Sequence, residues 1–223
     1  MSKEVVSYML SGMDNMKSLQ VQLILQCAPF LKGIKIACIL NITEENSREL
    51  YEILEGTGIK FKILTRNHGK CLIFLYRRES FSRYLKRTDV REFLGSYGYE
   101  DVEPEKMLER LSKRVCQYSD GEICFPHEIG AFLDYPIDDV KCFIEKDGKD
   151  SLFSGYWKVY NNPGRAKMIF WAYDKAKTSA VNEYLILQVA AVSLTNPIFI
   201  LLMAFANMFG MGGSAVASMA MGE

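Results

Sequence analysis

From Tyr184 to Gly222 the chain runs 39 residues without an Asp, Glu, Lys or Arg, and this break constrains the fold more than any motif does. A helix on the surface of a water-soluble domain pairs an apolar stripe with a charged face, so a charge-free stretch this long does not read as one. From Pro197 to Phe209 it is apolar all round apart from Asn207, and Leu185, Ile186, Leu187, Val189, Ala190, Ala191 and Val192 extend it backward. About 20 such residues, at about 1.5 Å each, cross a bilayer core of about 30 Å. Asn196 and Pro197 would kink the span, and Gly210, Gly212, Gly213, Ser214 and Ala215 are small residues of the kind that let membrane helices pack closely. The expectation is a composite chain, with a soluble domain over residues 1–178 and an apolar segment over residues 179–223 that meets a membrane through residues 185–209.

A soluble portion of this size buries a full core without disulfide staples. Lys+Arg and Asp+Glu both number 27, so no net charge steers the chain toward nucleic acid or an anionic surface. Cys27, Cys38, Cys71, Cys116, Cys124 and Cys142 are scattered singly, without CxxC pairs, which reads as reduced thiols in a cytosolic setting. The N-terminus, Met1-Ser2-Lys3-Glu4-Val5-Val6, carries an acid and no long apolar run, unlike a secretion signal. The domain is expected to be cytoplasmic, tethered to the cytoplasmic membrane by the C-terminal segment.

Periodicity predicts an α/β (α+β) domain. An amphipathic helix over Leu19 to Leu31 precedes alternation at Ile34, Ile36, Cys38, Leu40 and Ile42, which reads as a strand. Thr43 is an acceptable N-cap for a helix carrying Leu50, Ile53 and Leu54 on one face, stopped by Gly56 and Gly58. Ile59, Phe61 and Ile63, the turn Asn67-His68-Gly69 and the apolar run Cys71 to Tyr76 make a hairpin. This β-α-β-β order implies a small mixed sheet with helices packed on it. Helical spacing returns at Phe81, Tyr84 and Leu85, and at Met107, Leu108, Leu111 and Val115 after Pro104. Two short helices are expected from Pro126 and Pro136, then a strand within Leu152 to Tyr160, and a last helix over Arg165 to Lys177.

Two resemblances rest on specific residues. Ala190-Ala191-Val192-Ser193-Leu194-Thr195-Asn196-Pro197, Phe205-Ala206-Asn207 and Gly210-Met211-Gly212-Gly213-Ser214-Ala215 resemble the second transmembrane helix of the multidrug and toxic compound extrusion (MATE) antiporters. That resemblance would make the chain an antiporter fragment in name. A single helix cannot supply two gates and a midplane site, however, so no transport is expected from the chain alone. Lys175 and Lys177 upstream would also hold the N-terminal end of the span in the cytoplasm, the reverse of the family's direction.

Residues 1–178 resemble an uncharacterised bacterial domain family of unknown function. The match is carried by Gln26-Cys27-Ala28-Pro29, Gly33-Ile34-Lys35, Phe125-Pro126-His127-Glu128-Ile129-Gly130, Tyr135-Pro136, Asp139-Val140-Lys141 and Gly155-Tyr156-Trp157-Lys158-Val159-Tyr160. A cysteine often precedes the Gly-Tyr-Trp-Lys motif in that family, where this chain has Leu152-Phe153-Ser154. Family members are often encoded near flavodoxin-like genes, so the resemblance implies a redox or metal setting and a flavodoxin-like protein as a partner. It assigns no cofactor.

Few residues carry chemistry. Cys124, two residues before Pro126, together with His127 and Glu128, is a candidate reactive thiol if a helix dipole and an imidazole lower its pKa; most such cysteines are simply packed. Adding Cys116 gives three soft ligands, but at no standard zinc spacing. His68 reads as a solvated turn residue. No nucleophile elbow, Walker loop, dinucleotide fingerprint or paired-histidine helix is present.

Glu128 to Val140 has helix-turn-helix spacing, yet Asp138, Asp139, Glu145 and Asp147 outweigh Lys141 and Lys146, so a structural αα-hairpin is favoured over DNA binding. Arg77, Arg78, Arg83, Lys86, Arg87 and Arg91 form a basic patch in which Arg83, Lys86 and Arg87 are candidates for an anion, against a plain solvated face. Tyr156 and Trp157 are candidates for an aromatic platform, against packed strand aromatics. The expected class is an interaction or regulatory module, with a thiol, metal or redox protein using Cys124 and His127 as its competitor.

Overall fold

The computed structural model describes residues 15–100 and 103–187, and the chain divides into two compact units, residues 1–180 and 181–223. The first described element of the first unit is helix α1 (Asn15–Leu31), whose Leu19, Leu23, Cys27 and Phe30 are buried. Its end is fixed by Gly33 at φ +74°, where the Gly33 N–H bonds to the Phe30 carbonyl and the Ile34 N–H to the Pro29 carbonyl. Those bonds occupy Ile34 and Lys35, so strand β1 (Ala37–Thr43) starts three residues later than alternation predicts.

Helix α2 (Ser47–Leu54) follows, with Asn46 rather than Thr43 at its N-cap, because Thr43 remains in the sheet opposite Lys70. Strands β2 (Ile59–Asn67) and β3 (Lys70–Arg77) are joined by His68 at φ +48° and Gly69 at φ +71°, the pair of positive φ values that a two-residue type I′ hairpin turn needs. The expected mixed sheet is wholly antiparallel, in the order β1-β3-β2. The tight turn forces β2 against β3, and β1 takes the other flank of β3, so β1 and β2 run the same way without touching.

Strand β3 is buried on both faces, which explains its unbroken apolar run. Cys71, Ile73 and Leu75 join Cys38, Leu40 and Ile42 beneath α1 and α2. Phe74 and Tyr76 face a second core built by helices α3 (Arg78–Leu85), α4 (Thr88–Gly95), α5 (Pro104–Ser119), α6 (Ile129–Phe132) and α7 (Ile137–Glu145). A bulge between Ile63 and Thr65 lets Leu64 sink into that second core, and the Ser112 hydroxyl from α5 bonds to the Leu64 carbonyl at 2.8 Å.

Three C-terminal expectations are corrected. The helix expected from Pro126 begins at Ile129 and lasts one turn, because residues 126–131 close i→i+3 bonds such as Ile129 N–H to the Pro126 carbonyl. The strand expected in Leu152 to Tyr160 is a two-stranded miniature hairpin, β4 (Phe153–Ser154) and β5 (Lys158–Val159), with Gly155-Tyr156-Trp157 as its turn. The last helix, α8, extends beyond the expected Lys177, over 163–187, with the Asn162 side chain capping the Arg165 N–H. The expected span 185–209 lies outside the described residues beyond 187, as does all of the MATE-like stretch. Among the described residues no helix is long and apolar enough to cross a membrane.

Phe74→Ala in the doubly covered strand should cost about 3–5 kcal/mol, against about 1 kcal/mol for Ser112→Ala, which removes only the bond at the bulge; urea unfolding of both variants measures the difference.

Candidate functional site

Two of the sequence motifs, 30 residues apart, meet in space. Phe125 and His127 from the turn before α6, Gly130 from α6, Val140 and Phe143 from α7, and Gly155, Trp157 and Lys158 from the miniature hairpin line a cavity of about 300 Å³. Five rings, those of Phe125, His127, Tyr135, Phe143 and Trp157, stand in its wall. The His127 imidazole sits 5.2 Å from the Phe125 ring and 5.0 Å from the Phe143 ring, and Tyr135 stacks on Trp157 at 5.4 Å.

What holds the hairpin in place is a carboxylate. Asp139, in the first turn of α7, is 2 % exposed and has no ion pair with a cation among the described residues. Burying a carboxylate this deeply costs several kcal/mol unless donors replace its water. Four N–H groups do so: the Trp157 indole at 2.8 Å, the Tyr160 amide at 3.0 Å, the Asn161 amide at 2.7 Å and the Asn161 side chain at 3.3 Å. The indole bond also fixes which way the Trp157 ring faces. On its far side, Phe170 of α8 meets Trp157 edge-on at 4.5 Å.

Close approach leaves no room for a side chain at Gly155 and little at Gly130. A Cβ on Gly155 would fall 2.1 Å from Phe170, and one on Gly130 would fall 3.1 Å from Val140 and 3.3 Å from Tyr135. At the rim the Lys158 ammonium donates to the Gly148 carbonyl at 2.5 Å and lies 5.7 Å from the Phe143 ring centre, leaving it two further donors.

The sequence candidates separate here. Cys124 is exposed, and with the following helix starting at Ile129 and only four residues long, no helix dipole is directed at its thiol. Cys116 instead points its thiol at the Leu64 carbonyl, 3.4 Å away, and no cluster of metal-binding side chains exists among the described residues. His127 faces the cleft, whereas its neighbour Glu128 turns into the core, 1 % exposed. There Glu128 accepts from the Arg114 guanidinium and, at 3.1 Å, from the Tyr99 hydroxyl. Burial, reinforced by that carboxylate, holds the Tyr99 phenol well above its ordinary pKa, and the bond to Glu128 raises Arg114 further.

The basic patch is similarly divided. The Arg77 guanidinium donates to the Phe30 carbonyl at the end of α1 at 2.8 Å, Arg78 pairs with Glu105 at 3.0 Å, and Arg87 pairs with Asp89 at 2.7 Å. Of the three anion candidates, Arg83 and Lys86 are exposed on α3 and at its C-cap, while Arg87 is engaged by Asp89. The two platform candidates also part: Trp157 lines the cleft, while Tyr156 donates to Asp174 at 2.8 Å on the α8 side, and burial with that carboxylate raises its pKa.

Asp139 itself is the residue that sequence reasoning missed. It reads there as one acid among several on an exposed helix, yet it sits between the buried Ile137 and Val140, and an acid on that face is the signal.

The model of a family described as "Protein of unknown function (DUF3793)" matches residues 23–190. The match spans both cleft motifs and stops where the MATE-like stretch begins. No curated protein and no solved structure matches the chain.

Asp139→Asn replaces an acceptor with an amide that must face N–H donors, and should cost about 1–3 kcal/mol and shift Trp157 emission to the red as the hairpin loosens. Glu128→Gln, which leaves Arg114 without its counter-charge, should cost about 2–3 kcal/mol with no change in that emission, since it lies behind the cleft. Chemical unfolding followed by fluorescence reads both.

Proposed function

Because the chain belongs to DUF3793, a family of proteins of unknown function, no relative lends it an activity, and we propose from its cleft that the domain is a binding and regulatory module. The ligand is a planar aromatic group carrying a negative charge. The aromatic-walled cavity carries this reading: about 300 Å³ is the lower end of the range for small-molecule sites and accommodates a flat system of up to three fused rings. Stacking on Trp157 and Phe143 would supply affinity, and the spare Lys158 donors with His127 would select the anionic substituent.

The chemistry of the wall favours binding over catalysis. Asp139, the carboxylate lining the cleft, is occupied by four N–H groups, and Glu128 is occupied in the core, which leaves His127 and Lys158, with the Ser154 hydroxyl, as the polar side chains that meet a ligand. A flavodoxin-like partner, which the family resemblance implies, would carry a suitable ring system and phosphate in its flavin.

The charge-free run from Tyr184 supports a second element of the proposal, a tether of this cytoplasmic module to the cytoplasmic membrane through residues 185–209. On this reading the MATE-like stretch serves as an anchor and transports nothing alone.

Flavin mononucleotide and indole-3-carboxylate, titrated separately, should quench Trp157 emission saturably, and His127→Ala and Lys158→Ala should each weaken binding about tenfold, about 1.4 kcal/mol. Titrations without saturation, or unchanged by both variants, would count against the cleft. The full chain should sediment with membranes and resist carbonate extraction; release into the supernatant would remove the tether.

A further inference from the structure

Helix α8 keeps two large apolar side chains in water. Met168 is 74 % exposed and Trp171 is 65 % exposed, while Ala166, Tyr173, Ala176 and Ala180 of the same helix are buried. With about 100° between successive residues, Lys167, Met168, Trp171 and Lys175 share an arc of about 100°, opposite the face that Tyr173 buries. The Lys175 ammonium lies over the Trp171 ring at 5.5 Å, and the one acid within residues 163–175, Asp174, is bonded to the Tyr156 hydroxyl. An exposed tryptophan beside a methionine, flanked by lysines and bare of free acid, is the composition of a helix that lies in a membrane interface.

We infer that the outer face of α8 rests flat on an anionic lipid surface, with Trp171 and Met168 at headgroup depth and Lys167 and Lys175 against the lipid phosphates. The inference rests on the proposed tether and adds an orientation to it. Trp171 precedes Leu185, where the proposed span starts, by 14 residues. A straight helix entering the bilayer at Leu185 would hold Trp171 roughly 20 Å above it, at about 1.5 Å per residue. A helix lying along the surface places Trp171 in the interface, where the lysines attract anionic lipid.

The test uses the full chain with vesicles of phosphatidylcholine alone or mixed equally with phosphatidylglycerol, with and without bromine on the acyl chains. The chain has two tryptophans, so the Trp171→Phe variant isolates the Trp171 signal. Brominated mixed vesicles should remove at least a third of the wild-type emission and none from Trp171→Phe. Lys167→Glu with Lys175→Glu should still sediment with vesicles but lose at least half of that quenching. Sedimentation without Trp171 quenching would overturn the flat orientation and leave the tether standing, whereas failure to sediment would overturn both. Equal quenching in phosphatidylcholine alone, or in the double glutamate variant, would overturn the role of anionic lipid.

Discussion

Strand β3 is sealed on both faces, and the remaining architecture of residues 15–180 answers that constraint. Alternate side chains of a single strand serve two cores, so a sheet of only three strands needs a helical layer on each side. The near layer is two helices, α1 and α2, and closes over the aliphatic side chains and thiols of Cys38, Leu40, Ile42, Cys71, Ile73 and Leu75. The far layer is thicker because β3 presents Phe74 and Tyr76 to it. Rings then relay the packing outward, from Phe74 to Phe81 at 5.4 Å, Phe81 to Phe132 at 6.4 Å and Phe132 to Tyr99 at 5.1 Å. Phe132 belongs to α6, so the doubly buried strand indirectly sets where Glu128 enters the core and where His127 faces the cleft.

The cleft depends on a different kind of bond. A buried carboxylate can be neutralised by a cation or solvated by N–H dipoles, and Asp139 takes the second route. Dipolar solvation is directional, so it fixes the indole, the two backbone amides and hence the hairpin that carries them. The indole bond to Asp139 adds a direction to the packing that Tyr135 and Phe170 already give Trp157. Because the donors come from the hairpin and the acceptor from α7, the two walls of the cavity are held at one spacing, and Gly155 lets Phe170 press against the indole from behind. The pocket is therefore preorganised, which lowers the ordering cost of binding a rigid ring.

Much of the first half of the fold is legible in the sequence because its cues are local. The periodicity of Leu19 to Leu31, the alternation in β1, the Asn67-His68-Gly69 turn and Pro104 at a helix start each depend on neighbours within a few residues. The errors arise where distant contacts decide: Thr43 stays in its strand because Lys70 pairs with it, and the all-antiparallel sheet follows from β1 joining the open flank of β3. The site was half legible. His127 and Trp157 stand out by residue type, but nothing local shows that they share a cavity, since their meeting is arranged by Asp139 and the hairpin turn. Glu128 beside His127 reads as a catalytic neighbour until the turn geometry sends the two side chains in opposite directions.

The docking of the hairpin by Asp139 is the premise on which the cleft stands, and the indole proton of Trp157 reports on it directly. In a two-dimensional nitrogen-proton NMR spectrum the two tryptophans give two indole signals. In D₂O the signal of the exposed Trp171 should vanish at once, while that of Trp157 should persist far longer, protected by its bond to the carboxylate. Immediate loss of both signals would mean that the hairpin is not held against α7 and that the cleft described here is not a standing feature of the protein.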